Sequence, residues 1–161
     1  MRILGIDPGL QVCGYACLET DAEEDKLIEA GVFRTEGGSA IEIRLNRIAE
    51  DIESLLKKFR PEIAAVEQLY SHYEHPRTAI LMGHARGVIL QKCARAAVEV
   101  RSFSPTRIKK SITGSGRASK EQVQRTVQTI LSLQQIPEPS DVADAIAVAL
   151  CCANSVNSIV V

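Results

Sequence analysis

The chain opens on three strand-like stretches whose connections are too short to hold a helix. They lie near residues 2–7, 12–19 and 26–35. Pro8-Gly9 separates the first pair, and the acidic run from Asp21 to Asp25 separates the second. Such short connections favour antiparallel hairpins, because parallel neighbours need a crossover of a dozen residues or more. Ile41, Leu45, Ile48, Ile52, Leu55 and Leu56 then share one helical face, which predicts a helix over 39–59 that stops before Pro61. A buried strand near 62–68 follows, then a long helix from Pro76 to Ala97 and a strand at 98–103. A short helix after Pro105, a Gly-rich loop at 113–118 and helices near 119–133 and 140–154 complete the chain. The order βββ–α–β–α–β–α–α–α predicts an α/β protein with a mixed five-stranded sheet and helices on both faces. Crossover connections make the later strands parallel to the first. With 161 residues and neither a repeat nor a linker, residues 1–161 read as a single domain.

Four carboxylates interrupt this apolar pattern. Asp7 closes Ile3-Leu4-Gly5-Ile6, and Glu67 closes Ile63-Ala64-Ala65-Val66. Asp141 and Asp144 open the Ala/Val-rich last helix, three residues apart and therefore on one helical face. A carboxylate at the end of a buried element is costly unless something pairs with it or coordinates it. Asp7 could merely stabilise its turn, and Asp141 could cap the helix after Pro139-Ser140. Glu67 and Asp144 have no such local role. If the first and fourth strands are neighbours, Asp7 and Glu67 emerge at the same end of the sheet. Two strand-end acids and two helix acids suit a pair of Mg²⁺ or Mn²⁺ ions, and hence phosphate chemistry.

The charge distribution agrees with a phosphate-bearing partner. Net charge is −1, yet residues 72–125 hold 11 basic and 3 acidic side chains, whereas residues 1–71 hold 8 and 14. One cationic face beside an acidic site suits nucleic acid, although solvated helix faces give the same count. Lys109-Lys110 precede the loop Thr113–Lys120, whose Ser119 and Gln122 form a capping-box pattern before a helix. Arg117 and Lys120 make that loop cationic. After Glu67 come Tyr70, Tyr73 and Arg77, aromatics and a cation placed to stack on exposed bases and reach a phosphate. His72 and His75 have no cysteine or third histidine close by, so they are not counted as ligands. The five cysteines are odd in number and lie in apolar segments without a CxxC. They read as buried thiols in a reducing cytoplasm. No apolar run approaches the ~20 residues that span a bilayer, so no membrane partner is expected.

With these residues placed, the chain resembles the RuvC family of Holliday junction resolvases, which have a ribonuclease H-like fold. The likeness covers essentially the whole chain. It runs through Gly5-Ile6-Asp7-Pro8-Gly9 with Gly14-Tyr15, Val66-Glu67-Gln68, Gly83-His84-Ala85-Arg86-Gly87-Val88, the Gly114–Lys120 loop and Asp141-Val142-Ala143-Asp144-Ala145. The resemblance implies a homodimer that nicks two opposed strands of a four-way DNA junction by metal-dependent hydrolysis. It also implies contact with a branch-migration motor. By position, Asp7, Glu67, Asp141 and Asp144 match the catalytic tetrad, and Lys109 and Lys120 match basic residues that support DNA binding and cleavage. Tyr70 falls at the aromatic position near the junction centre. His72–Arg77 departs from the commoner family pattern. Three rivals carry fewer of these features: a nuclease of the same fold acting on ribosomal RNA precursors, an actin-like ATP-binding protein and a non-catalytic junction-binding module.

Overall fold

The computed structural model describes residues 1–21, 24–69 and 76–157. Five strands form one sheet: β1 (Arg2–Asp7), β2 (Val12–Thr20), β3 (Asp25–Arg34), β4 (Ile63–Glu67) and β5 (Glu99–Phe103). Their order is β3-β2-β1-β4-β5. β1, β2 and β3 pair antiparallel as a meander, while β4 and β5 add parallel to β1. This is the mixed sheet expected from the connection lengths. The helices are α1 (Ile41–Phe59), α2 (Pro76–Arg95), α3 (Pro105–Thr113), α4 (Lys120–Ile130) and α5 (Ser140–Asn157).

Strand side chains alternate between faces, and the two cores follow that alternation. Leu4, Ile6, Cys13, Cys17, Ala64 and Val66 point to one face. There they pack with Ile48, Ile52 and Phe59 of α1 and Ala85, Ile89 and Cys93 of α2. Ile3, Ala16, Leu18, Ile63, Ala65 and Phe103 point to the other, against α3, α4 and the almost wholly buried α5. All five cysteines are free and buried. Burial pushes the thiols of Cys17, Cys93 and Cys152 up to about 11, so they stay protonated and act as packing groups. Among the described residues no helix is long and apolar enough to cross a membrane.

Several helix ends differ from the sequence reading by a turn or less. α1 begins at Ile41 rather than 39, because Ala40, with ψ 148°, is still extended and forms its N-cap. α2 ends at Arg95 rather than Ala97, whose φ of 55° is left-handed. α4 ends at Ile130 rather than 133, with Ser132 at φ 49° turning the chain away.

Candidate active site

β1 and β4 lie side by side in parallel register, with Ile6 opposite Val66. Asp7 and Glu67 each follow one residue later, so both leave the sheet at the same end. Alternation sends both to the α5 face, with Ile3 and Gly5 on one strand and Ile63 and Ala65 on the other.

The helix carboxylates reach this point because two glycines let α5 lie almost on the sheet. A Cβ at Gly5 would strike the Ala145 carbonyl oxygen and come within 2.7 Å of the Ala149 Cβ. A Cβ at Gly14 would strike the carbonyl oxygen of Asp141. Gly14 is the cross-strand partner of Asp7. The first turn of α5 therefore rests on the residue paired with the first carboxylate. Asp141 lies inside that first turn rather than at the capping position.

Asp7, Glu67 and Asp144 line a cleft of about 240 Å³, together with Pro105, Ile108, Lys109, Lys120, Val123 and Ala147. Asp141 stands outside this lining, although its charge acts on both Asp7 and Asp144. Among the described residues no three acids, cysteines or histidines are already drawn together as a coordination shell. Three of the four acids line the cleft.

Their electrostatics show an excess of negative charge. Burial pushes the Asp7 carboxyl well above the usual range, and the charges of Glu67, Asp144 and Asp141 push it further. Burial and then Asp144 push Glu67 up to about 7. Burial also raises Asp144, with Asp141 adding to it. Lys120 opposes all three shifts and Lys109 opposes those of Glu67 and Asp144, yet the net displacement stays upward. Two cations do not offset the acids and their desolvation. Hard oxygen donors in surplus over local cations are the donor set that Mg²⁺ and Mn²⁺ prefer, so the residues present fit a divalent ion.

Lys120 is the first residue of α4, fixed there by the capping box of Ser119 and Gln122 (2.8 and 3.2 Å). Lys109 sits on α3. Arg117 is exposed on the loop between these helices, outside the cleft lining, and Arg77 is exposed in the first turn of α2. Tyr70, His72, Tyr73 and His75 lie outside the described residues. The sequence reading passed over two elements of this site. One is the close-approach role of Gly5 and Gly14, signalled by glycines in strands that face an Ala-rich helix. The other is Arg86, which hydrogen-bonds the Glu67 carbonyl (3.0 Å) and whose signal was a lone cation in a small-residue helical motif.

A larger hollow of about 480 Å³ lies at the opposite end of the sheet, between the C-terminal ends of α1 and α2. Both its acids are already bonded, Glu53 by Lys57 and Lys92 (2.6 and 2.8 Å) and Glu62 by the backbone N–H of Arg2, so it holds no comparable unmet charge.

This mixed five-stranded sheet, flanked by five helices and with acids at the ends of its first and fourth strands, defines a ribonuclease H-like protein. The family model described as crossover junction endodeoxyribonuclease RuvC matches residues 3–152, and the chain belongs to that family. A crossover junction endodeoxyribonuclease RuvC from Rhodopirellula baltica is 48% identical over 149 residues, covering 92% of this chain and 84% of the relative. One from Heliobacterium modesticaldum is 43% identical, with 96% and 95% covered. The structure of Thermus thermophilus RuvC in complex with Holliday junction substrate superposes with a TM-score of 0.89 at 30% identity, covering 98% of this chain and 96% of the other. Nucleases of this family are metal-dependent.

Proposed function

We propose that this protein is a structure-specific endonuclease that resolves four-way DNA junctions by hydrolysing one phosphodiester in each of two opposed strands. The observation that carries the reading is the cleft shared by Asp7, Glu67 and Asp144. It stands at the strand ends of a chain 48% identical to a named crossover junction endodeoxyribonuclease. Residues 1–161 act as a single nuclease domain.

Asp7, Glu67, Asp141 and Asp144 would hold Mg²⁺, with Mn²⁺ as a substitute, two ions to a site. Held by these four carboxylates, such ions would supply Lewis-acid chemistry for a water nucleophile and for the charge on the phosphate and leaving oxygen. Asp7 and Glu67 enter from rigid strand ends, which fixes their separation before substrate arrives. Asp144 enters from α5, and Asp141 completes the set from the preceding turn. Lys109 and Lys120 stand at the same cleft, where their ammonium groups offset part of the acidic charge and meet the DNA backbone. Arg117 and Arg77 extend the cationic surface away from the cleft, and Tyr70 supplies an aromatic ring to bases exposed at the junction centre.

Two sites are needed for paired nicks, and a homodimer provides them. The exposed Ile80 of α2 (61% accessible) and the open space above Gly87 offer a face for a second copy. A branch-migration motor is the further partner that the family implies. The protein acts on DNA in the cytoplasm, a compartment in keeping with its five free thiols.

The test is incubation of a synthetic mobile four-way junction with Mg²⁺ or Mn²⁺, beside linear duplex and structured RNA. Paired nicks confined to opposed strands of the junction are expected. Cleavage of the RNA with an intact junction would replace this reading with that of an RNA nuclease.

A further inference from the structure

Arg86 belongs to the motif Gly83–Val88, which the chemistry proposed above leaves unused. It sits on α2, whose buried residues Ala85, Ile89 and Cys93 pack with Val66 on the sheet face opposite the acidic cleft. From that side it still reaches the site. Its Nε donates to the carbonyl of Glu67 (3.0 Å), and its Nη2 donates to Ser102 Oγ on β5 (2.8 Å). The N–H of the same peptide unit, on Gln68, donates to the Phe103 carbonyl of β5 (2.9 Å). Both polar groups of the Glu67–Gln68 peptide are therefore held.

The guanidinium is an unusual choice for a simple staple. It is partly buried and that burial lowers its pKa, yet it makes no ion pair among the described residues. A charge withdrawn from water and given neutral acceptors is unfavourable by itself. Its geometry explains its presence. The planar fork presents donors at fixed angles, which lets one side chain bridge a carbonyl and a hydroxyl.

We infer that Arg86 is a positioning residue, which fixes the Glu67–Gln68 peptide from behind the sheet so that the Glu67 carboxylate enters the cleft at one angle. This rests on the reading of Glu67 as a catalytic acid. A misplacement of one ångström near a reacting centre is enough to lower a rate by about 10²-fold. Supporting groups behind metal-holding side chains typically carry about 10–100-fold in activity or metal affinity. Lysine at this position keeps the charge but cannot bridge both acceptors, so Arg86→Lys should behave much like Arg86→Ala.

The experiment compares wild type, Arg86→Lys, Arg86→Ala and Ser102→Ala, the last being the mildest change should the Arg86 variants fold poorly. Four readouts are taken: Gln68 amide hydrogen exchange without metal, Mn²⁺ binding by calorimetry, junction binding, and the single-turnover cleavage rate. For Arg86→Ala we expect faster Gln68 exchange with core amides such as Val66 unchanged, and Mn²⁺ affinity weaker by about tenfold. The cleavage rate should fall about 10–100-fold with junction affinity within about twofold, and free guanidinium should restore part of it. Ser102→Ala should shift the same readouts less. Unchanged Gln68 exchange and Mn²⁺ affinity would overturn the inference, as would losses that only follow global unfolding. If wild type itself leaves junctions uncut, the functional reading fails, while exchange and Mn²⁺ binding still decide the role of Arg86.

Discussion

Glu53 and Glu67 occupy opposite ends of the same fold, and their carboxyls are displaced in opposite directions. Glu53 accepts hydrogen bonds from Lys57 and Lys92, which hold it down at about 2. Glu67 accepts no side-chain hydrogen bond among the described residues. Burial and the neighbouring Asp144 push it up to about 7 despite Lys109 and Lys120. One acid is satisfied by the protein, and the other is held where the protein does not satisfy it. The contrast separates a structural ion pair from a candidate binding site more sharply than cavity size does, since the larger hollow belongs to Glu53.

The sharpest way to break this comparison is to neutralise Glu67. Glu67→Gln should lower cleavage by about 10²–10³-fold, the range seen when one preorganised transition-state contact is removed. It should also make the metal-free protein more stable at pH 8. Glu67 has a folded pKa of about 7 against an ordinary 4.5, so it binds its proton more tightly in the native state. That contribution is complete below 4.5 and is lost as pH rises through about 7, an interval worth about 3 kcal/mol. Urea unfolding at pH 5 and pH 8 without metal should show wild type losing stability across that window, with Glu67→Gln losing less.

A smaller effect is expected from the glycine that admits α5. Gly5→Ala places a methyl against Ala145 and Ala149 and should destabilise the fold by about 1–3 kcal/mol. Thermal unfolding measures this, and weaker Mn²⁺ binding should accompany it, because Asp144 rides on the displaced helix. Lys120→Ala removes a cation that lowers the pKa of Asp7, Glu67 and Asp144. Cleavage should fall by about tenfold, and the acidic limb of its pH profile should move to higher pH. Glu53→Gln is the control at the other end. Its pair is exposed, so cleavage should stay within about twofold of wild type.

The elements of this fold were legible because hydrophobic period and connection length are local properties. The short links around Pro8-Gly9 and Asp21–Asp25 fixed a meander, and the helical stretches before β4 and β5 required parallel addition. The four acids were legible as exceptions to the same pattern. Their unequal places around the cleft were not. That Asp141 stands off the cleft while Asp144 lines it depends on how α5 is rotated on the sheet, and Gly5 and Gly14 set that contact through space. The link from Arg86 to Glu67 spans 19 positions and passes from one face of the sheet to a strand end, so no spacing rule could reveal it. Helix ends drifted where the stopping signal was backbone conformation, as at Ala97 and Ser132, rather than residue type.

The most direct measurement of the central claim is single-turnover cleavage of a mobile four-way junction by wild type and Asp7→Asn in Mg²⁺, with junction binding followed in parallel. The account predicts paired nicks in opposed strands by wild type, and tight binding by Asp7→Asn with cleavage reduced by at least about 10²-fold. Unimpaired cleavage by Asp7→Asn, or tight binding by wild type with no cleavage under either Mg²⁺ or Mn²⁺, would contradict it.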